Sequence, residues 1–133
     1  MKKVFVNGTF DVLHSGHLFL FEYAKSLGDH LIVAIDSDER VKEKKGSTRP
    51  INSLWNRAFM LANIYTIDEV RTFGSDKELE DLVKHYKPDI MIVGSDYKNK
   101  KVIGSEYAKE LKFFDRIDEY STTKIIQNII DRG

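Results

Sequence analysis

Val4-Phe5-Val6-Asn7-Gly8-Thr9-Phe10-Asp11-Val12-Leu13-His14-Ser15-Gly16-His17 follows the first three residues of the chain. At its left end, Val4-Phe5-Val6 is a short apolar run of the buried type that stops at Asn7-Gly8, so it reads as a strand entering a turn. To its right, a helix starts near Ser15-Gly16 and ends before Gly28. Leu18, Phe21 and Ala24, with Leu20, Tyr23 and Leu27, supply its i, i+3, i+4 face, and Gly28 is a natural stop. The next apolar run, Leu31-Ile32-Val33-Ala34-Ile35, is continuous rather than alternating, the pattern of a parallel strand covered on both faces. Together these make one βαβ unit.

The alternation continues. Arg40 to Pro50 reads as a polar, basic loop, Leu54 to Ile64 as a helix and Glu69 to Phe73 as a short strand. Ser75-Asp76-Lys77-Glu78 fits a capping box opening a helix that ends before Pro88. Ile90 to Val93 is a central strand closed by Gly94, Ser105 to Leu111 a short helix and Phe113-Phe114 an edge strand. Ser121 opens a last helix through Ile130. Repeated strand–helix alternation predicts an α/β fold: a single small Rossmann-like, doubly wound parallel sheet with helices on both faces. In such sheets a ligand sits beyond the carboxyl ends of the strands, at the switch point. With two prolines and no repeat, the sequence shows no linker, and residues 1–133 are expected to form one domain.

Composition narrows the chemistry. No cysteine among 133 residues excludes a disulfide scaffold, a thiolate zinc site and a cysteine nucleophile. Equal charge, 21 Lys+Arg against 21 Asp+Glu, argues against a nucleic-acid partner, which normally meets a basic face. No apolar run approaches the ~20 residues that span a bilayer. Asn7-Gly8 interrupts the N-terminus before a signal-peptide hydrophobic region develops. The expectation is a cytoplasmic protein with no membrane partner.

The turn between the first strand and first helix lacks Gly-x-Gly-x-x-Gly and the Walker pattern, which removes the main support for a nicotinamide, flavin or P-loop site. Instead, His14 and His17 flank a helix start, with Gly16 between them allowing close backbone approach. A helix N-terminus presents unpaired N–H groups and partial positive charge, which suit phosphate oxygens. Imidazoles add donors there without a permanent charge. Arg40, Lys42, Lys44, Lys45 and Arg49 concentrate in the stretch after the second strand, placed for a mobile phosphate clamp. Ser121 is a good N-cap, and Thr122 and Thr123 can set hydroxyls beside N–H groups that face a ligand. Gly94-Ser95-Asp96-Tyr97 closes a strand at the crevice, where Asp96 either accepts hydroxyl hydrogen bonds or forms an Asx turn. Asp11 either meets an acceptor or orders its loop. Trp55, Leu54, Phe59 and Leu61 read as helix packing, and His30 and His85 as surface or helix-end residues.

Gly8-Thr9-Phe10-Asp11 followed by His14-Ser15-Gly16-His17 resembles the signature of the cytidylyltransferase-like nucleotidyltransferases, and Tyr120-Ser121-Thr122-Thr123-Lys124 resembles that family's Ser-Thr-Thr segment at the start of its last helix. The likeness covers the whole chain. It implies transfer of a nucleoside monophosphate from ATP or CTP to a small sugar- or polyol-phosphate, with release of pyrophosphate and with Mg²⁺ accompanying the triphosphate. By this resemblance His14, His17, Lys44 and Lys45 are catalytic. Gly8, Thr9, Phe10, Gly16, Asp96, Arg116, Ser121, Thr122 and Thr123 bind nucleotide, and Asp11, Arg49 and Arg57 bind the acceptor. Lys45 to Asn52, Gly94 to Lys98 and Ile103-Gly104-Ser105 are similar to the heptose-1-phosphate branch, while Arg116 and the single short domain are similar to the glycerol-3-phosphate branch. A homodimer is also implied, to which an exposed Phe113-Phe114 pair at a sheet edge would contribute. The competing reading is a non-catalytic nucleotide-binding or regulatory module.

Overall fold

The computed structural model describes residues 1–115 and 121–133. Five strands, β1 (Lys3–Gly8), β2 (His30–Asp36), β3 (Glu69–Phe73), β4 (Ile90–Gly94) and β5 (Glu110–Phe114), form one sheet in the order β3-β2-β1-β4-β5. Every pairing is parallel, from Lys3↔His30 through Gly8↔Ile35 on one side of β1 and Val4↔Ile90 through Val6↔Ile92 on the other. The chain therefore builds outward from β1 in one direction, then crosses back and builds in the other. The reversal lies between β1 and β4, whose carboxyl ends frame a crevice.

The continuous apolar strands alternate their side chains between two cores. On one face Val4, Val6, Leu31, Val33, Ile35, Ile90 and Ile92 pack with Phe21 and Ala24 of α1 (Ser15–Ser26) and Leu61 of α3 (Leu54–Ala62). On the other, Phe5, Ile32, Ala34, Met91 and Val93 pack with Leu79, Val83 and Tyr86 of α4 (Asp76–Tyr86). The doubly wound α/β sheet with helices on both faces is thus the one the periodicity predicts. Gly28 is required where α1 turns into β2, because a Cβ there would meet the Lys2 carbonyl oxygen at 2.7 Å and a Val4 methyl at 2.8 Å.

Several local expectations change. Residues 40–50 are not all loop: α2 (Asp38–Lys45) occupies the first part. Ser37 caps it, accepting from the Arg40 amide at 3.3 Å, while Asp38 and Glu39 sit at its positive end and Lys42, Lys44 and Lys45 at its negative end. Ser105 to Leu111 is not a helix but one 3₁₀ turn (Ser105–Tyr107) leading into β5. Phe113 and Phe114 are half-buried, one against each core, because alternate residues of β5 point to opposite faces. Trp55 and Phe59 do the reverse: they stack on each other at 5.2 Å while 70% and 56% exposed, so they add little to the core. Among the described residues no helix is long and apolar enough to cross a membrane.

Candidate functional site

Gly8 ends β1, and the turn after it is tight. A Cβ at Gly8 would lie 2.9 Å from the Phe10 ring. Phe10 itself takes the left-handed conformation, φ +51°, which costs a non-glycine residue about 1–2 kcal/mol. Packing holds it there: its ring is buried and stands edge-on to Phe21 at 5.0 Å and to His17 at 5.2 Å. The Phe10 side chain is therefore a core wedge supporting His17.

His14 occupies the N-cap of α1, and the two histidines cap that helix reciprocally. The Gly16 amide donates to His14 Nδ1 at 3.1 Å, and the His14 amide donates to His17 Nδ1 at 3.3 Å. The rings stack at 3.8 Å with 30° between their planes. An imidazole whose Nδ1 accepts a hydrogen bond carries its proton on Nε2 when neutral, so these hydrogen bonds assign both rings the same tautomer. Side chains that sequence reasoning treats as phosphate donors thus also fix the helix start.

The last helix is joined to this turn. Ser121 caps α5 (Thr122–Arg132), accepting from the Lys124 amide at 3.0 Å, and the Thr122 hydroxyl donates to the Val12 carbonyl at 2.9 Å. Thr123 is exposed beside them. Asp96 stands in the 3₁₀ turn (Ser95–Tyr97) that follows β4, the strand beside β1. Its carboxylate folds back over Gly94, where a Cβ would approach Asp96 Oδ1 to 2.5 Å. Gly8, Thr9, His14, Gly16, His17, Asp96, Ser121, Thr122 and Thr123 therefore belong to segments at the carboxyl end of the sheet. Arg116 lies outside the described residues.

Lys44 and Lys45 lie in the last turn of α2 and are exposed; Arg49 is half-buried. Gly46 ends the helix at φ +101° with open space around its Cα. The two remaining acceptor-site expectations, Asp11 and Arg57, make contacts within the protein. Asp11 is buried, with its carboxylate accepting from the Ile51 and Asn52 amides, both at 2.8 Å, and its carbonyl accepting from Asn52 Nδ2 at 2.7 Å. Of its two open roles, it orders the loop. Arg57 is 1% exposed, and its guanidinium is directed inward to Thr9, Asp36, Asp38 and Asn52, because those segments present it with carbonyl and carboxylate oxygens. Neither side chain faces the crevice.

Asp36, Asp38 and Asn52 are the residues sequence reasoning missed. Asp36-Ser37-Asp38 at the end of a predicted strand was a visible signal that a cation must be answered there. Thr9 Oγ1 donates to Asp36 Oδ2 at 3.4 Å, so the same carboxylate also orients the opening turn. On the flank of that turn an open groove of about 450 Å³ runs between α1 and α3, bordered by Leu13, His14, Leu18, Met60 and Ile64.

Comparison with known proteins agrees with this geometry. The cytidylyltransferase-like family model matches residues 5–128. The bifunctional protein HldE of Helicobacter hepaticus (strain ATCC 51449 / 3B1) is 50% identical over 128 residues, 96% of this chain and 26% of the relative. That of Campylobacter fetus subsp. fetus (strain 82-40) is 48% identical over 126 residues, 95% of this chain and 27% of the relative. The chain thus spans about a quarter of the length of these curated relatives. Among solved structures, the lipopolysaccharide core biosynthesis protein from Thermoplasma volcanium GSS1 superposes with a TM-score of 0.71 at 25% identity, covering 89% of this chain and 99% of that one. With the family model covering nearly every element from β1 to α5, the chain belongs to the cytidylyltransferase-like family of nucleotidyltransferases.

Proposed function

We propose that this chain transfers a nucleoside monophosphate from ATP or CTP to a small sugar- or polyol-phosphate and releases pyrophosphate. The observation that carries the reading is the reciprocal histidine cap: two stacked imidazoles whose Nδ1 atoms accept from backbone amides, which leaves each Nε2 as the ring's donor. Two Nε2–H donors beside a helix N-terminus suit a polyphosphate that gains charge during reaction. An oxygen of the acceptor phosphate attacks the α-phosphorus, the bond to the β-phosphate bridging oxygen breaks, and pyrophosphate departs with that electron pair. The acceptor is already an anion, so no protein nucleophile is required; the work is positioning and charge stabilisation. His14 and His17 donate to oxygens around the reacting phosphorus. Lys44, Lys45 and Arg49 neutralise outer and acceptor phosphates, Asp96 receives ribose hydroxyls, and the start of α5 at Ser121–Thr123 holds the phosphate tail with Arg116. Mg²⁺ enters with the triphosphate.

A sugar phosphate is favoured as acceptor over a polyol phosphate. Lys45 to Asn52 and Gly94 to Lys98 are similar to the heptose-1-phosphate branch, and the Thermoplasma volcanium protein belongs by its description to lipopolysaccharide core biosynthesis. A nucleoside triphosphate substrate suits a cytoplasmic enzyme. A homodimer would cover apolar side chains exposed on α1 and α3, such as Phe19, Trp55 and Phe59, and light scattering tests it. The decisive experiment is pyrophosphate release with ATP and CTP, each against heptose-1-phosphate and glycerol-3-phosphate. Release is expected with the sugar phosphate; nucleotide binding without release under any pairing would leave a non-catalytic module.

A further inference from the structure

Arg57 is the most heavily engaged side chain at the carboxyl end of the sheet. Its Nε donates to the Asn52 carbonyl at 3.0 Å and its Nη1 to the carbonyls of Thr9 at 3.1 Å and Asp36 at 2.9 Å. Its Nη2 donates to Asp38 Oδ1 at 2.8 Å, and Asp36 Oδ1 lies 3.7 Å from Nη1. One buried cation therefore touches three separate segments: the turn after β1, the junction of β2 with α2, and the stretch that enters α3. Thr9 lies past the last β1–β2 pair, Gly8↔Ile35, so no strand hydrogen bond continues the register there. Asp11 makes a second tie between the first and third of these segments through the Ile51 and Asn52 amides.

We propose that Arg57 is a positioning residue of the transfer reaction, fixing where Arg49 and the lysine end of α2 stand relative to the histidine turn, and not a contact to the acceptor phosphate. The inference rests on the nucleotidyl-transfer reading and deepens it. A guanidinium can serve here because it is planar and presents five N–H donors in fixed directions. A lysine keeps the charge but cannot span a side-chain carboxylate and three carbonyls belonging to three segments. A direct phosphate contact needs mainly the charge; a strut needs the fork. The two roles thus separate on a single conservative change.

The test compares Arg57→Lys, Arg57→Met and Asp38→Asn in the full chain, with acceptor and nucleotide varied separately in the pyrophosphate assay. Amide hydrogen exchange is followed at Ile51 and Asn52, with Ile32 and Met91 of the central strands as internal reference. Expected are an acceptor KM raised about tenfold or more, a much smaller change in nucleotide KM, and an Arg57→Lys chain no better than Arg57→Met. Exchange should rise at Ile51 and Asn52 while Ile32 and Met91 stay protected. If both Arg57 variants fail to fold, Asp38→Asn, which leaves the arginine in place and removes only the negative charge opposite Nη2, carries the comparison and should show the same KM split, smaller in size. An Arg57→Lys chain with unchanged acceptor KM beside a crippled Arg57→Met would overturn the proposal in favour of direct contact. Melting temperatures that fall with both KM values unchanged would reduce Arg57 to a stabilising residue. If the wild-type chain releases no pyrophosphate from any pair, the transfer reading fails, while the exchange pattern still decides whether Arg57 ties the segments.

Discussion

At the amino ends of the strands the carboxylates close joints. Asp29 accepts from the Lys2 amide at 2.9 Å, Asp89 from the Lys3 amide at 2.8 Å, and Asp68 from the Leu31 amide at 2.8 Å and Lys25 Nζ at 2.6 Å. Glu69 meets His30 at 2.5 Å and Tyr86 at 3.0 Å. At the carboxyl ends, Asp11, Asp36 and Asp38 are drawn inward to backbone amides, the Thr9 hydroxyl and Arg57, while Lys44 and Lys45 stay exposed. At both ends the carboxylates tie backbone amides and cations, but at the amino ends they join neighbouring strands and at the carboxyl ends they brace loops. Asp11, Asp36 and Asp38 are thereby withdrawn into the scaffold while Lys44 and Lys45 face outward, the arrangement the proposed phosphate site would use.

The largest contrast should come from His17→Ala. Removing one donor to a developing charge typically costs 10²–10³-fold in turnover. The lost helix cap costs about 1 kcal/mol of stability. Pyrophosphate release and a thermal melt read the two separately, and near-normal turnover in a folded variant would break the assignment of the histidine end as the reacting one.

Two glycine substitutions sharpen the contrast. Gly28→Ala places a methyl against the Lys2 carbonyl at the closed end and should cost about 1–3 kcal/mol, with kcat unchanged well below the melt. Gly8→Ala drives the methyl into the Phe10 ring that supports His17, and should lower turnover by up to about 10²-fold. A Gly8→Ala enzyme of full activity would mean that Phe10 does not set the histidine position.

Acid should loosen the closed end. Burial works against the charge on Asp68, but Lys25 and the Leu31 amide outweigh it and hold its pKa below the ordinary value. The hydrogen bond from His30 lowers Glu69, and the Lys3 amide, with Lys109, lowers Asp89. A carboxyl whose folded pKa is depressed stabilises the fold above its unfolded value, about 4, and that contribution is lost as pH falls through the folded value. Stability should therefore decline on acidification below about pH 4, and Asp68→Asn should be less stable at pH 7 with a flatter acid limb in melts followed by circular dichroism. The smallest effect expected is Tyr86→Phe. It removes the hydroxyl between Glu69 and Arg71, costs about 1 kcal/mol, and leaves turnover untouched.

The strands β1, β2 and β4 and the helix α1 were legible because continuous apolar runs and a 3.6-residue face record burial directly, whereas the first half of β5 reads as helix. The helix of residues 38–45 was hidden by its composition: eight residues with Val41 as the one apolar side chain carry no hydrophobic period, and only the cap at Ser37 and the charge order betray it. The histidines and the Ser121–Thr123 segment were legible through motif and spacing. Arg57 and Asp11 were not, because their partners are largely backbone groups from distant segments, and a sequence shows no carbonyl directions. The Phe10 conformation was hidden for a related reason: nothing in its side chain announces a left-handed backbone, which here is imposed by the Gly8 contact below it and the Phe21 and His17 rings beside it.

The Thr122 hydroxyl reaches back 110 residues to the Val12 carbonyl. Every strand of the sheet precedes this stitch in the sequence, so the sheet can pair without it. The brace on the opening turn thus comes from a helix outside the sheet, and loosening α5 can free that turn while the strands stay paired.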